Sequence, residues 1–117
     1  MSFEGGCHCG AIKFTVDAPL PTQALSCNCS YCRIEGALLA FFPAGQFTLE
    51  QGEDALSSYR FNTHKIEHRF CSKCGSHPFS FGVNPSDGAP MRAVNLRCVK
   101  AVDLDGLTVR HYDGASS

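Results

Sequence analysis

The chain carries no block of lysine and arginine, and its net charge is only −1 over 117 residues. That argues against nucleic acid or an anionic membrane as the main partner, because both are recognised through clustered positive charge. No apolar stretch approaches the roughly 20 residues that span a bilayer, so no membrane segment is expected. The opening MSFEGGCHCG lacks the charged-then-apolar order of a secretory signal. The expectation is a cytoplasmic protein whose thiols stay reduced. Linkers, repeats and low-complexity blocks are also missing, which leaves residues 1–117 as a single domain with one modest core. No window of 12 or more residues shows a helical period.

Short alternating runs take the place of helices. AIKFTV puts Ile12, Phe14 and Val16 on one face, and QFTLE pairs Phe47 with Leu49. ALLAFF (37–42) reads as a more fully buried strand. SSYRFN pairs Tyr59 with Phe61, and HPFSFGV pairs Phe79 with Phe81. KIEHRFC places Ile66, His68 and Phe70 on one face, with Glu67 and Arg69 on the other. RAVNLRCV and LTVRHY complete the series, with Cys98 inside a strand run. Pro19 and Pro21, PAG (43–45), QGED (51–54), NPSDGAP (84–90) and DLDG (103–106) supply turns between them. A short helical turn is expected only after Cys29, in SYCR. The fold class is mainly β, built of short antiparallel strands.

Against this plain background stand eight cysteines: Cys7, Cys9, Cys27, Cys29, Cys32, Cys71, Cys74 and Cys98. C-x-C pairs make strained disulfides, whereas two thiolates at that spacing converge readily on one metal. Four thiolates close a zinc site, and Cys7, Cys9, Cys71 and Cys74 make one such set. The spacing does not force that pairing, and Cys7 and Cys9 could instead join the 27–32 cluster. In CSKCG, Gly75 fits a turn whose N–H groups point at sulfur, and Gly10 fits the same slot after Cys9. Under the first pairing, Cys27, Cys29 and Cys32 remain as three thiolates. Three protein ligands with an exchangeable fourth is the pattern of a catalytic zinc, and an all-sulfur site favours a thiol in the open place. Cys98 could instead close that site and make both zincs structural.

The remaining candidates carry weaker signals. His8 reads as an exposed spacer, His68 as a satisfied core or boundary residue, and His111 as peripheral. His64, His68 and His77 are candidate general bases by residue type alone. Arg33, Lys65, Arg69 and Lys73 stand near the cysteines and read as a solvated face, or as cations that offset thiolate charge. Arg97 beside Cys98 raises a third reading, a redox thiol.

The motifs GGCHCGAIKF, CNCSYCR, RFCSKCGSHPFSF and AVNLRCVKAVDLDGLTVRHYDG resemble the glutathione-dependent formaldehyde-activating enzyme family, which also includes centromere protein V. The resemblance implies a β-tent fold, with a structural zinc on Cys7, Cys9, Cys71 and Cys74. It implies a second, labile zinc on Cys27, Cys29 and Cys32, the residues that would be catalytic. The activity implied is that of a carbon–sulfur lyase, in which glutathione adds to formaldehyde to give S-hydroxymethylglutathione. Asn28 departs from the family, where histidine is frequent, and Cys98 becomes a strand feature and not a ligand. The expected partners are a small thiol such as glutathione and a small carbonyl. A non-catalytic glutathione carrier or a zinc scaffold module is the alternative.

Overall fold

A computed structural model describes residues 1–60, 66–84 and 86–113. The strands are β1 (Phe3–Gly6), β2 (Lys13–Val16), β3 (Gln23–Cys27), β4 (Leu39–Pro43), β5 (Phe47–Gln51), β6 (Leu56–Tyr59), β7 (Glu67–Cys71), β8 (Phe79–Val83), β9 (Pro90–Asn95) and β10 (Thr108–Tyr112). One short helix, α1 (Ser30–Glu35), follows β3. Strands β1, β2 and β5 form a small sheet, and the others form a larger one in the order β10-β3-β4-β9-β8-β7-β6. Pairing is antiparallel except for β10, which lies parallel to β3. The chain reaches β10 from β9 through successive turns over 96–107 and not through a hairpin, so it arrives in the same direction as β3. The architecture is the mainly β one that the cysteine motifs imply. No helix among the described residues is long and apolar enough to cross a membrane.

The core lies between the two sheets. Ile12, Phe14 and Val16 are fully buried, as their alternation requires, and they share the core with Phe79 and Val94 from the larger sheet and with Leu96 just after β9. Phe14 stacks on Phe47 at 5.2 Å and meets the edge of Phe79 at 5.7 Å, while Phe3 packs on Phe42. Phe79 and Phe81 share the core face and stack at 5.4 Å.

Two expectations are corrected here. The 37–42 run is not uniformly buried: Phe42 faces the core, but Phe41 is 48% exposed. Only one face of β4 meets the small sheet, so the strand alternates despite its apolar sequence. Cys98 is not in a strand. β9 ends at Asn95, whose side-chain oxygen accepts from the Arg97 N–H at 3.1 Å and turns 96–98 into a 3₁₀ helix. The proposed partner of Tyr59, Phe61, lies outside the described residues, as do His64 and Lys65.

The outer face of the larger sheet positions the site. His68 pairs with Ser80 in register, with both side chains on the face opposite Phe79 and Phe81. α1 lies over this face, where Tyr31 stacks on the buried His68 ring at 4.0 Å.

Candidate functional site

The sulfur atoms of Cys7, Cys9, Cys71 and Cys74 lie within 4.8 Å of one another. Cys7 and Cys9 follow β1, Cys71 closes β7, and Cys74 stands in the next turn. Sulfur separations of 3.6 Å (Cys7 to Cys9) and 3.7 Å (Cys9 to Cys71) match the edge of about 3.8 Å that a tetrahedron with 2.3 Å bonds requires. Backbone N–H groups already point inward: Ile12 donates to Cys7 at 3.3 Å and Lys73 to Cys71 at 3.4 Å. The left-handed φ of Gly10 (84°) and Gly75 (79°) makes both turns possible, and the Gly75 N–H closes its turn on the Cys71 carbonyl at 2.8 Å.

The protons in this group are unevenly shared. Hydrogen bonding from the Ser76 hydroxyl and N–H pulls Cys74 down to about 5. Burial opposes ionisation of Cys7, but the Ile12 N–H and its neighbouring sulfurs outweigh it and lower its pKa. The Ala11 N–H favours a Cys9 thiolate, yet contact with Cys7 and desolvation prevail and push it up to about 11. Mixed thiols and thiolates are how crowded sulfurs limit like-charge repulsion, and a soft dication relieves it by displacing the remaining protons. This donor set fits zinc.

The second group is Cys27, Cys29 and Cys32, whose sulfurs also lie within 4.8 Å of one another. Among the described residues, no fourth histidine, cysteine or carboxylate ligand atom joins them at that distance. Its local structure comes from the cysteines themselves. Cys29 caps α1, its sulfur accepting from the Cys32 N–H at 3.4 Å, in the place usually held by a serine or aspartate oxygen. The Cys29 N–H donates to Cys27 sulfur at 3.5 Å. Gly36, with φ of 73°, ends the helix through its N–H to the Cys32 carbonyl at 2.9 Å. Burial resists ionisation of Cys29, but the Cys32 N–H and adjacent sulfurs lower its pKa, whereas burial drives that of Cys32 upward.

Asn28 anchors this loop. Its N–H reaches the Tyr112 carbonyl at 3.2 Å, and its side-chain amide donates to the Asp113 carboxylate at 3.0 Å. The parallel β10 therefore holds the cysteine loop from the side.

Cys98 belongs to neither group. Its sulfur faces the His77 carbonyl at 3.8 Å, and burial raises its pKa to about 11. Arg97 does not activate it, since the guanidinium Nε donates to the Gly36 carbonyl at 3.2 Å and braces the end of α1. A thiol at about 11 rather than the ordinary 9.0 holds roughly 100-fold less thiolate near neutral pH. Iodoacetamide should therefore alkylate Cys98 about 100-fold more slowly than an exposed cysteine, as followed by peptide mass in the zinc-loaded protein. Fast modification would reinstate the redox reading.

Of the other sequence candidates, Arg69 is committed elsewhere, to Glu67 at 3.3 Å and to the face of Phe81. Arg33 and Lys73 are exposed, as are His8 and His111. His68 is a satisfied buried histidine, its Nδ1 3.2 Å from Ser80 Oγ. His77 shares the same hydroxyl, with Nε2 at 3.0 Å. Its Nδ1 is buried without a hydrogen-bond partner and faces Glu35 Oε1 at 3.9 Å.

These side chains border a cleft of about 500 Å³ lined by Tyr31, Glu35, Tyr59, Phe70, Gly75 and His77. The cleft runs from α1, which carries Cys32, to the turn after Cys74. Glu35, Tyr31 and Ser80 were not legible as site residues. The signal that could have found Glu35 is its place three residues after Cys32, which puts both on one face of a helix.

Burial, with help from His68 and against the Phe79 N–H, pushes His77 from the ordinary 6.5 to about 4. The folded state then resists a proton that the unfolded chain accepts. Stability is unaffected above about 6.5, falls as pH drops to about 4, and levels off below. The loss is about 3 kcal/mol, from roughly 1.4 kcal/mol per pH unit. Urea unfolding at both ends of this window should show wild type losing that much relative to His77→Gln. Parallel losses in the two proteins would remove His77 as the source.

A family model described as glutathione-dependent formaldehyde-activating enzyme matches residues 2–105. A putative glutathione-dependent formaldehyde-activating enzyme of Halomonas elongata is 28% identical, covering 97% of this chain and 85% of that protein. The crystal structure of a Rhodobacter sphaeroides protein superposes with a TM-score of 0.77 at 27% identity, covering 93% of this chain and 99% of the other.

Proposed function

Because the chain belongs to the glutathione-dependent formaldehyde-activating enzyme family, we propose that it binds glutathione at an open zinc site on Cys27, Cys29 and Cys32 and forms or cleaves its adduct with formaldehyde or another small carbonyl. The observation that carries this reading is the three-sulfur group, with no fourth ligand among the described residues, alongside a separate four-sulfur group. Cys7, Cys9, Cys71 and Cys74 would hold the structural zinc of the single domain, which works in the cytoplasm. A zinc ion held by Cys27, Cys29 and Cys32 would supply a Lewis acid for a thiol.

The chain's own residues do the rest. The Cys29 and Cys32 N–H groups fix two of the three sulfurs and offset their charge. The short helix, braced by Arg97 and Gly36, carries Cys32 between Tyr31 and Glu35, which line the cleft. In the addition, the thiol S–H bond breaks and an S–C bond forms to the carbonyl carbon. The carbonyl π bond opens, and its oxygen takes the proton. No electron donor or acceptor is needed, and the reverse is a carbon–sulfur lyase reaction.

Glutathione titrated into doubly zinc-loaded protein should give a saturable calorimetric signal, and NMR should show the adduct forming faster with protein than without. Binding without acceleration identifies a glutathione carrier. Absence of any binding sinks the proposal.

A further inference from the structure

The cleft beside α1 contains features that the three-cysteine site does not use. Among the described residues, its wall holds one carboxylate, Glu35, and the rings of Tyr31, Tyr59 and Phe70, with no lysine or arginine. The His77 side chain is 3% exposed, lines this cleft, and presents a nitrogen with no hydrogen-bond partner. A buried polar atom left unsatisfied is costly, so a group that completes it is favoured. Glu35 Oε1 and His77 Nδ1 stand 3.9 Å apart. One nitrogen carrying two or more protons can donate to both at about 2.9 Å. Aromatic faces beside a carboxylate are also the surroundings that favour a cation.

We propose that this cleft is the subsite for a primary ammonium carried by the thiol, with Glu35 as its counter-charge and His77 Nδ1 as its second acceptor. The proposal rests on the thiol-binding function above and names the part of the thiol compound that lies away from sulfur. Two sources carry this chemistry: the α-amino group of glutathione, and the amine of a small aminothiol. Distance permits the first. Cys32 and Glu35 are three residues apart on α1, a rise of about 4.5 Å, and the γ-glutamyl arm spans about two residues of extended chain, roughly 7 Å.

The buried hydroxyl of Ser80 ties ammonium binding to a proton position. It has one proton and stands between His77 Nε2 and His68 Nδ1. With the cleft empty, Ser80 donates to His77 Nε2, and the His77 proton sits on Nδ1, facing the Glu35 carboxylate. When an ammonium arrives, Nδ1 must accept. The His77 proton then sits on Nε2 and donates to Ser80. Both histidines stay neutral and the ligand stays charged.

The experiment uses zinc-loaded full-length protein labelled with ¹⁵N-histidine. S-methylglutathione, which keeps the ammonium but has no free thiol, should move the His77 Nδ1 signal from the protonated to the unprotonated range. The S-methyl analogue lacking the amino group should not. By calorimetry, glutathione should bind at least tenfold more tightly than glutaryl-cysteinylglycine, its counterpart without the amine. Cysteamine should exceed 2-mercaptoethanol by a similar factor only if small aminothiols are also ligands. Glu35→Gln should remove the glutathione preference and leave the amine-free thiol unchanged. Equal binding of thiols with and without the ammonium, with no change at His77, overturns the subsite while leaving thiol binding intact. A His77 response to S-methylglutathione with no binding of free thiols supports the subsite and sinks the thiol function instead.

Discussion

Cys71→Ser should abolish cooperative folding under conditions where the wild-type protein is stable. Cys71 is fully buried, sits at the end of β7, and belongs to the core as well as to the four-sulfur group. Its sulfur group joins the loop after β1 to the turn after β7, and so ties the small sheet to the larger one. Structural zinc binding contributes on the order of 10 kcal/mol of folding free energy in small domains, comparable to the whole stability of a chain this size. Loss of one thiolate forfeits most of that and leaves a hydroxyl in an apolar setting. Circular dichroism melts and elemental analysis should show loss of the transition together with loss of one zinc. A strong chelator should unfold the wild-type protein in the same way. Zinc-free protein that melts at an unchanged temperature would mean that the aromatic core alone holds the sheets together.

Cys29→Ser should have the opposite profile: fold retained, second site lost. Serine is itself a favoured helix cap, so its hydroxyl can accept the Cys32 N–H and preserve α1. Serine is a poor zinc ligand beside thiolates, and two remaining sulfurs bind far more weakly than three. Zinc content should fall from two per chain to one. Glutathione affinity should drop by at least 100-fold, with the melting temperature within a few degrees of wild type. Retention of two zincs, or of glutathione binding, would show that the three cysteines do not form the site. The two variants together separate the roles of the two sulfur groups, because one is expected to act on stability and the other on binding.

The pair Phe14 and Phe79 shows what was readable in advance. Their strands announce themselves by alternation, and burial follows because one face of each must meet the other sheet. The local geometry of the cysteine turns was equally legible, since Gly10 and Gly75 stand where a positive φ is needed. Even the helix after Cys29 was foreshadowed, because capping is a local effect. ALLAFF misled for the same reason in reverse: an apolar run says nothing about which sheet lies on which side. Cys98 misled because a single side chain, Asn95, ends the strand that its neighbours would continue.

Composition, periodicity and cysteine spacing by themselves determined the class of fold, the turn chemistry and the cysteines as candidate ligands. All of these depend on residues within a few positions of one another. Only the tertiary structure decided that Cys7 and Cys9 meet Cys71 and Cys74 and not the 27–32 cluster, that Cys98 stands apart from both groups, and that Glu35, His77, Ser80 and His68 form one connected set beneath Tyr31. Most of those contacts join residues far apart in the chain, and they are set by strand order and by the face on which α1 lands. Neither leaves a periodic mark in the chain, because the pairing of one sheet edge with another is chosen by the packing of the whole core.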